Sequence, residues 1–444
     1  MLAGVAAGHG AFPLRMKLLL LPGIAAGHGA MSFPKPRQSL DGALAPWSKW
    51  RYPGDAIKFC EHGKDCAGAC PISAHKAGAP DALNASNGQA CYWFSNGCTI
   101  GCDKCDGTNN HFGHGGQRFL YKGMSLAEVH AKNLTIPAWT PAPGDMELDP
   151  ASTAGLKPRP NCARPAVNAT VCDPRLRTVN TQAPCGSPLD IYYWSPWRHP
   201  GSAPVLDACG VAGGRRPGQG IGPNGASFEN SSLASLGDLG SKLPPMPSQA
   251  TWAAGAEAEV GWTVMAAHGG GYAYRLAPAD GPLSEEAFRK TPLPFVGPSA
   301  LRWGGDASAQ LEFDPNAKGW ETSVGTVPAG SSWRKVPLPS ALWFREGPSF
   351  EPVCDESDEC KRAATLGWDY RGPPGVCKCT GHSNGGPLLP NLEMVDKVVI
   401  PPTLAPGKYV VQWRWDCEET DQVWTSCADV TIVAAEGAAA PAAH

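Results

Sequence analysis

A histidine at the first position of a chain offers two metal-binding nitrogens on one residue, its free amine and a ring nitrogen, close enough to chelate one ion. His28 stands where such a residue would be made. It follows the apolar run Leu18-Leu19-Leu20-Leu21-Pro22-Gly23-Ile24-Ala25-Ala26, which the basic residues Arg15 and Lys17 precede. Basic residues, an apolar run and small residues are the parts of a secretory signal. Ala25 and Gly27 are small enough for the −3 and −1 positions of a cleavage site, so residues 1–27 read as a signal and His28 as the mature end. Any cut exposes some residue, and on this stretch alone an ordinary processed end is the plainer alternative. Val5-Ala6-Ala7-Gly8-His9-Gly10-Ala11 nearly repeats Ile24-Ala25-Ala26-Gly27-His28-Gly29-Ala30. The first copy reads as a duplicated start, with Met16 as an alternative initiator.

Two further points carry chemistry. His268 opens His268-Gly269-Gly270-Gly271-Tyr272-Ala273-Tyr274-Arg275-Leu276. Its glycines let the backbone turn sharply and approach something closely. Before it, Val260, Trp262 and Val264 alternate along one face of a strand, so His268 sits at a strand end, where a rigid sheet can aim it. The last strand carries Gln422-Val423-Trp424-Thr425-Ser426-Cys427.

A mature His28, His268 before a glycine turn, and Gln422-x-Trp424-x-x-Cys427 resemble, in that order, the lytic polysaccharide monooxygenases, and most of all their large, loop-rich algal and oomycete members. The resemblance implies a single β-sandwich domain over about 28–433. It implies one copper ion held by the amine and ring of His28 and by His268. It places Trp424 at the axial position, where the family usually has Tyr or Phe, and makes Gln422 a hydrogen bonder near the oxygen site. It further implies an external electron donor, O2 or H2O2 as co-substrate, and oxidative cleavage of a polysaccharide at C1 or C4. Tryptophan has no oxygen to offer a metal, so Trp424 would act by shape or by carrying oxidising equivalents away. Trp413 and Trp415 would either join it or serve as core aromatics. Independently of the family, imidazole and amine nitrogens suit Cu(II), which tops the divalent affinity order.

The elements that must position these residues are strands. Glycine (53) and proline (45) are abundant and only 17% of the 444 residues are charged, which disfavours long helices. Strands read at Ala258–Ala267, from Tyr272, at Lys397–Ile400, at Gly407–Cys417 and at Gln422–Val433. Strands gathered late, with cysteine-stapled stretches between, imply an all-β, immunoglobulin- or fibronectin-III-like sandwich. A Cys-rich insertion spans about 58–118, loop insertions span about 119–250 and 280–390, and 434–444 is a flexible tail.

Seventeen cysteines behind a signal read as a disulfide framework, with an odd thiol left over. Cys417 and Cys427 are expected to pair across a hairpin. Cys102-x2-Cys105 with His111 and His114 has zinc-like spacing, but disulfides are favoured in an oxidising compartment. The run Tyr92-Trp93-Phe94 would either stack on sugar rings or lie buried. Sequons begin at Asn84, Asn133, Asn168 and Asn230, consistent with secretion.

A net charge of −3 leaves no footprint for nucleic acid or anionic membrane, and no run after residue 27 is long enough to insert in a bilayer. A monomer is expected. Asp355, Glu356, Asp358 and Glu359 read as a solvated loop rather than a glycosidase pair or an EF-hand. Two other readings stay open. One is a copper-binding protein without oxidative activity; the other is a non-catalytic glycan- or cell-wall-binding protein, to which a free His28 is irrelevant.

Overall fold

The fold is that of a computed structural model. It describes residues 28–43, 89–96, 146–148, 156–158, 201, 205–214, 228, 230–266, 270–303, 310–317, 319–324, 326–337, 392–417 and 422–435. The strands, in chain order, are β1 (His28–Phe33), β2 (Trp93–Asn96), β3 (Met146–Leu148), β4 (Leu156–Pro158), β5 (Val211–Ala212), β6 (Thr251–Ala253), β7 (Glu257–Ala266) and β8 (Gly271–Pro278). They continue with β9 (Pro292–Leu293), β10 (Phe295–Trp303), β11 (Gln310–Phe313), β12 (Glu321–Thr322), β13 (Trp333–Lys335), β14 (Leu392–Val399), β15 (Gly407–Asp416) and β16 (Gln422–Val433). Among the described residues a short helix, α1 (Glu285–Arg289), is capped by Ser284, whose hydroxyl accepts from Ala287 N.

The chain folds as an antiparallel β-sandwich. One sheet has the order β1-β7-β14-β10-β11; the other runs β12-β13-β8-β15-β16-β2-β5, with β9 on β8 and β6 parallel to β16. Alternation explains the layering. On β7, Val260 and Trp262 are fully buried in the core; on β15, Val411, Trp413 and Trp415 meet them from the second sheet. Their partners on the outer faces alternate with them. Trp262 stacks on Trp413 at 5.0 Å and on Trp415 at 5.3 Å, so indoles tie the two layers together. The late strands expected from sequence are all present.

Two expectations change. The stretch 280–390, read as a loop insertion, contains β10, an inner strand of the first sheet. Gly297-Pro298 interrupts its alternation, and the pairing with β14 shifts between Val296 and Ala300, which hides the strand from a period-two reading. Cys417 and Cys427 do not pair with each other. Cys427 is bonded to Cys209, with a Cα separation of 5.3 Å. Gln412 lies opposite Cys427, whereas Cys417 N donates to the carbonyl of Gln422. The two cysteines are thus five positions out of register, roughly 17 Å apart and beyond the reach of a disulfide.

The Cys209–Cys427 bond closes a sequence separation of 218 residues and fastens the 205–214 segment to β16. A Cys209→Ser, Cys427→Ser double variant is expected to lose about 2–4 kcal/mol of stability. Guanidinium denaturation checks this as a lower midpoint, with a slope equal to or steeper than the parent's because the uncrosslinked denatured chain exposes more surface.

The outer face of the first sheet carries a polar row. The Ser32 hydroxyl donates to Glu393 Oε1, and Arg302 holds Glu259 through two bonds of 2.8 and 3.1 Å. Glu393 is only 2% exposed, and burial lifts its carboxyl from 4.5 to about 7 against the pull of Ser32 and Arg302. A carboxyl whose folded pKa lies above its unfolded value binds its proton more tightly when folded. Its contribution is therefore present below pH 4.5 and lost as pH rises through about 7. Glu393→Gln is expected to flatten this fall, worth about 3 kcal/mol between pH 4.5 and 8, in urea titrations across that range.

Candidate metal centre

His28 is the first residue of β1, and its backbone lies opposite Ala266, near the end of β7. Gly29 pairs with Val264, so the register shifts between His28 and Gly29. Its side chain, and the whole of His268, lie outside the described residues. His268 nonetheless has both its flanks defined: Ala266 two residues before it and Gly270 two after. A directly opposed antiparallel pair has Cα atoms about 4.5–5.5 Å apart. The pairing thus brings the backbone of His28 beside a residue only two positions from His268.

Two of the glycines after His268, Gly270 and Gly271, are required by their surroundings. Gly270 has φ +76°, and a Cβ there would strike the carbonyl oxygen of Asp416. A Cβ on Gly271 would strike the carbonyl of Arg334 and the ring of Trp333. The chain leaving His268 is pinched between the end of β15 and β13, and only glycine fits. Asp416 is itself held: Arg414 gives it bonds of 2.7 to 3.2 Å and Gly201 N donates at 3.2 Å.

Beneath β1 lies an aromatic floor. A Cβ on Gly29 would sit 3.0 Å from Cζ3 of Trp415, so the strand rests on that indole. Met31 N donates to Ser426 Oγ at 3.3 Å, which lays β1 across β16. Trp415 and Trp424 are directly opposed in the β15–β16 register, with ring centroids 6.4 Å apart. Trp424 is fully buried, 4.3 Å from the ring of Phe94. Gln422 is also fully buried, opposite Asn96. Two residues apart on one strand, Gln422 and Trp424 face the same side, as does Ser426. His28, Gln422 and Trp424 therefore gather, by backbone, at one end of the sandwich.

Burial decides several sequence alternatives. Tyr92, Trp93 and Phe94 are buried and do not form an exposed sugar-stacking run. Trp413, Trp415 and Trp424 all belong to one core cluster. Trp415, grouped with Trp424 already on sequence, lies directly opposite it, whereas Phe94 as a neighbour of Trp424 emerges only from the strand register. Cys91 is disulfide-bonded, in keeping with a disulfide framework for its block. The Cys102–Cys105 pair, the acidic loop at 354–360, the signal and the tail lie outside the described residues.

The donor set of the two histidines and an amine is chemically suited to copper, and the β1–β7 register is compatible with both histidines serving one ion. Among the described residues there is no group of three or more His, Cys, Asp or Glu side chains that could hold a metal instead.

No protein-family model matches the chain, and no curated protein matches it in sequence. Among solved structures it is similar to a lytic polysaccharide monooxygenase of the AA15 class from Thermobia domestica in the Cu(I) state. That match has 12% identity, covers 42% of this chain and 64% of the other, and has a TM-score of 0.21. A chitin-binding domain from Burkholderia pseudomallei matches at 11% identity over 41% and 56%, TM-score 0.18. A cellulose-active monooxygenase in complex with copper matches at 14% over 43% and 54%, TM-score 0.15. The chain spans less than two thirds of the length of each. The chemistry accordingly rests on the residues themselves.

Proposed function

We propose that this protein is a secreted, copper-dependent oxidoreductase that cleaves glycosidic bonds of a structural polysaccharide, using an external electron donor with O2 or H2O2. The observation that carries the reading is the pairing of His28 with Ala266, two positions before His268 in the sequence, with Gly29 resting on Trp415. When bound, copper would supply one-electron reduction and activation of the oxygen co-substrate. The chain's own part is to hold and shape. The His28 amine and ring and the His268 ring would be the ligands. The amine must lose its proton, and with a free pKa of roughly 7.7–8.0 it does so readily near neutrality once a metal competes. Trp424, wedged between Phe94 and Trp415, would wall the site with carbon and offer it no oxygen. Gln422 would offer a hydrogen-bonding amide at the site.

The test compares protein ending at His28 with protein carrying one extra residue before it. Both are loaded with Cu(II) and examined by electron paramagnetic resonance, then screened on cellulose, chitin, pectin and hemicellulose for oxidised products. An axial three-nitrogen spectrum and oxidised oligosaccharides, both lost on extension, are expected. The same weak spectrum from both proteins would remove copper and leave a glycan-binding protein. A strong spectrum with no oxidised product would leave a copper-binding protein without oxidative activity. The sealed, oxygen-free Trp424 is the observation that favours that second reading.

A further inference from the structure

At the opposite end of the sandwich lies a cleft with no part in the chemistry above. It has a volume of about 560 Å3 and opens where β15 begins. Lys408 on its rim and Trp415 under Gly29 are seven residues apart on one strand, about 23 Å along it. The floor is the buried pair Arg37 and Asp429. Arg37 Nε and one terminal nitrogen donate to the two Asp429 oxygens, at 2.7 and 2.5 Å, and its other terminal nitrogen donates to Leu243 O at 3.3 Å. A guanidinium has five N–H groups, so two remain. Asp429 also accepts from Met246 N at 2.9 Å, which fixes the wall above it. The walls are apolar: Met246, Pro247, Pro278 and Pro406. Exposed Asp280 and Lys408 stand on the rim.

We propose that this cleft binds a short neutral oligosaccharide. The charged lining residues are two cations, Arg37 and Lys408, and two anions, Asp280 and Asp429, so the lining carries no net charge to attract an ionic ligand. Paired guanidinium donors and carboxylate acceptors, side by side, match the adjacent hydroxyls of a sugar, each of which both donates and accepts. The rigid proline rings and Met246 offer apolar surface to the C–H faces of a sugar ring. Its size falls within the range of small-ligand sites, roughly 300–1,000 Å3. The Arg37–Asp429 pair is held by two backbone contacts from one loop, Leu243 O and Met246 N, so its spare groups are fixed before a ligand arrives.

This site shares no residue with the His28 end, and its occupancy is independent of the copper reading. The whole protein is titrated calorimetrically, without copper, with cellohexaose, xylohexaose, mannohexaose and chitohexaose, and with hexagalacturonate as the charged counterpart. Gly407 lines the cleft, and a Cβ there meets only Tyr409 Cε2, at an ordinary 3.8 Å. Gly407→Trp should therefore plug the cleft without disturbing β15. Saturable binding of at least one neutral hexaose is expected, weakened about tenfold or more by Gly407→Trp and by the rim variant Asp280→Asn with Lys408→Ala. The copper spectrum should not change in either variant. No binding of any neutral hexaose, binding of hexagalacturonate alone, or binding untouched by both variants would overturn the proposal. The rim variant, confined to exposed side chains, keeps the test decisive if Gly407→Trp fails to fold.

Discussion

Glu285→Ala is expected to cost about 3–5 kcal/mol. Glu285 projects from α1 onto the outer face of the second sheet. Its Oε2 accepts from Arg275 and from Arg414, each at 2.9 Å, and its Oε1 accepts from Gln412 at 2.7 Å. Arg289 adds a longer contact of 3.6 Å from the same helix. Arg275 and Arg414 are each 1% exposed, so removing the carboxylate strands cationic charge in a region water does not reach. Arg414 would keep its bonds to Asp416, but Arg275 would be left with the carbonyl of Val327. Burial alone would raise the Glu285 carboxyl; the Arg414 and Arg275 charges and the Gln412 bond override it and hold it at about 2. A carboxyl with a depressed folded pKa contributes stability that is present above its unfolded value of 4.5 and lost as pH falls toward about 2. Denaturant titrations from pH 7 to pH 2 should show an acid loss on the order of 3 kcal/mol that Glu285→Gln lacks. An equal acid loss in both proteins would show that the network contributes little.

His268→Ala is expected to lower Cu(II) affinity of protein ending at His28 by about 100-fold or more, since losing a direct ligand should exceed the 10–100-fold effect of losing its hydrogen-bond partner. The measurement is competition with a chelator of known affinity, with the spectrum read for one fewer nitrogen. Affinity should also fall below neutrality in the parent protein, because protons compete for the amine and both rings. Unchanged affinity in His268→Ala would place the second nitrogen elsewhere and dissolve the two-histidine site, whatever activity the protein has.

Both predictions concern groups whose legibility in the sequence differs sharply. His268 stood out because an alternating strand ended on it and three glycines followed. Two of them, Gly270 and Gly271, proved to have a physical cause, their close passage against Asp416 and Arg334. Nothing in the spacing of residues 275, 285, 412 and 414 announces that they meet. Their encounter depends on α1 folding back over β8 and β15. Trp424 was legible as a position on the last strand but not as a residue sealed between Phe94 and Trp415. Cys427 looked like the partner of Cys417 because they are near in sequence; the hairpin register sets them apart and brings Cys209 in from 218 residues away.

What the sequence determined by itself is local: the period-two strands β7, β8, β14, β15 and β16, the close-packed glycines Gly270 and Gly271, and the histidine that a signal cut would expose. Side-chain alternation is a property of neighbouring residues, so a strand declares itself without its partners. What only the tertiary structure decided is pairing. It set β1 beside β7 with His28 opposite Ala266, sealed the Glu285 ion network, and faced Arg37 and Asp429 into one cleft. Such contacts depend on register and on which chains cross, and a one-residue slip would turn every side chain to the other face.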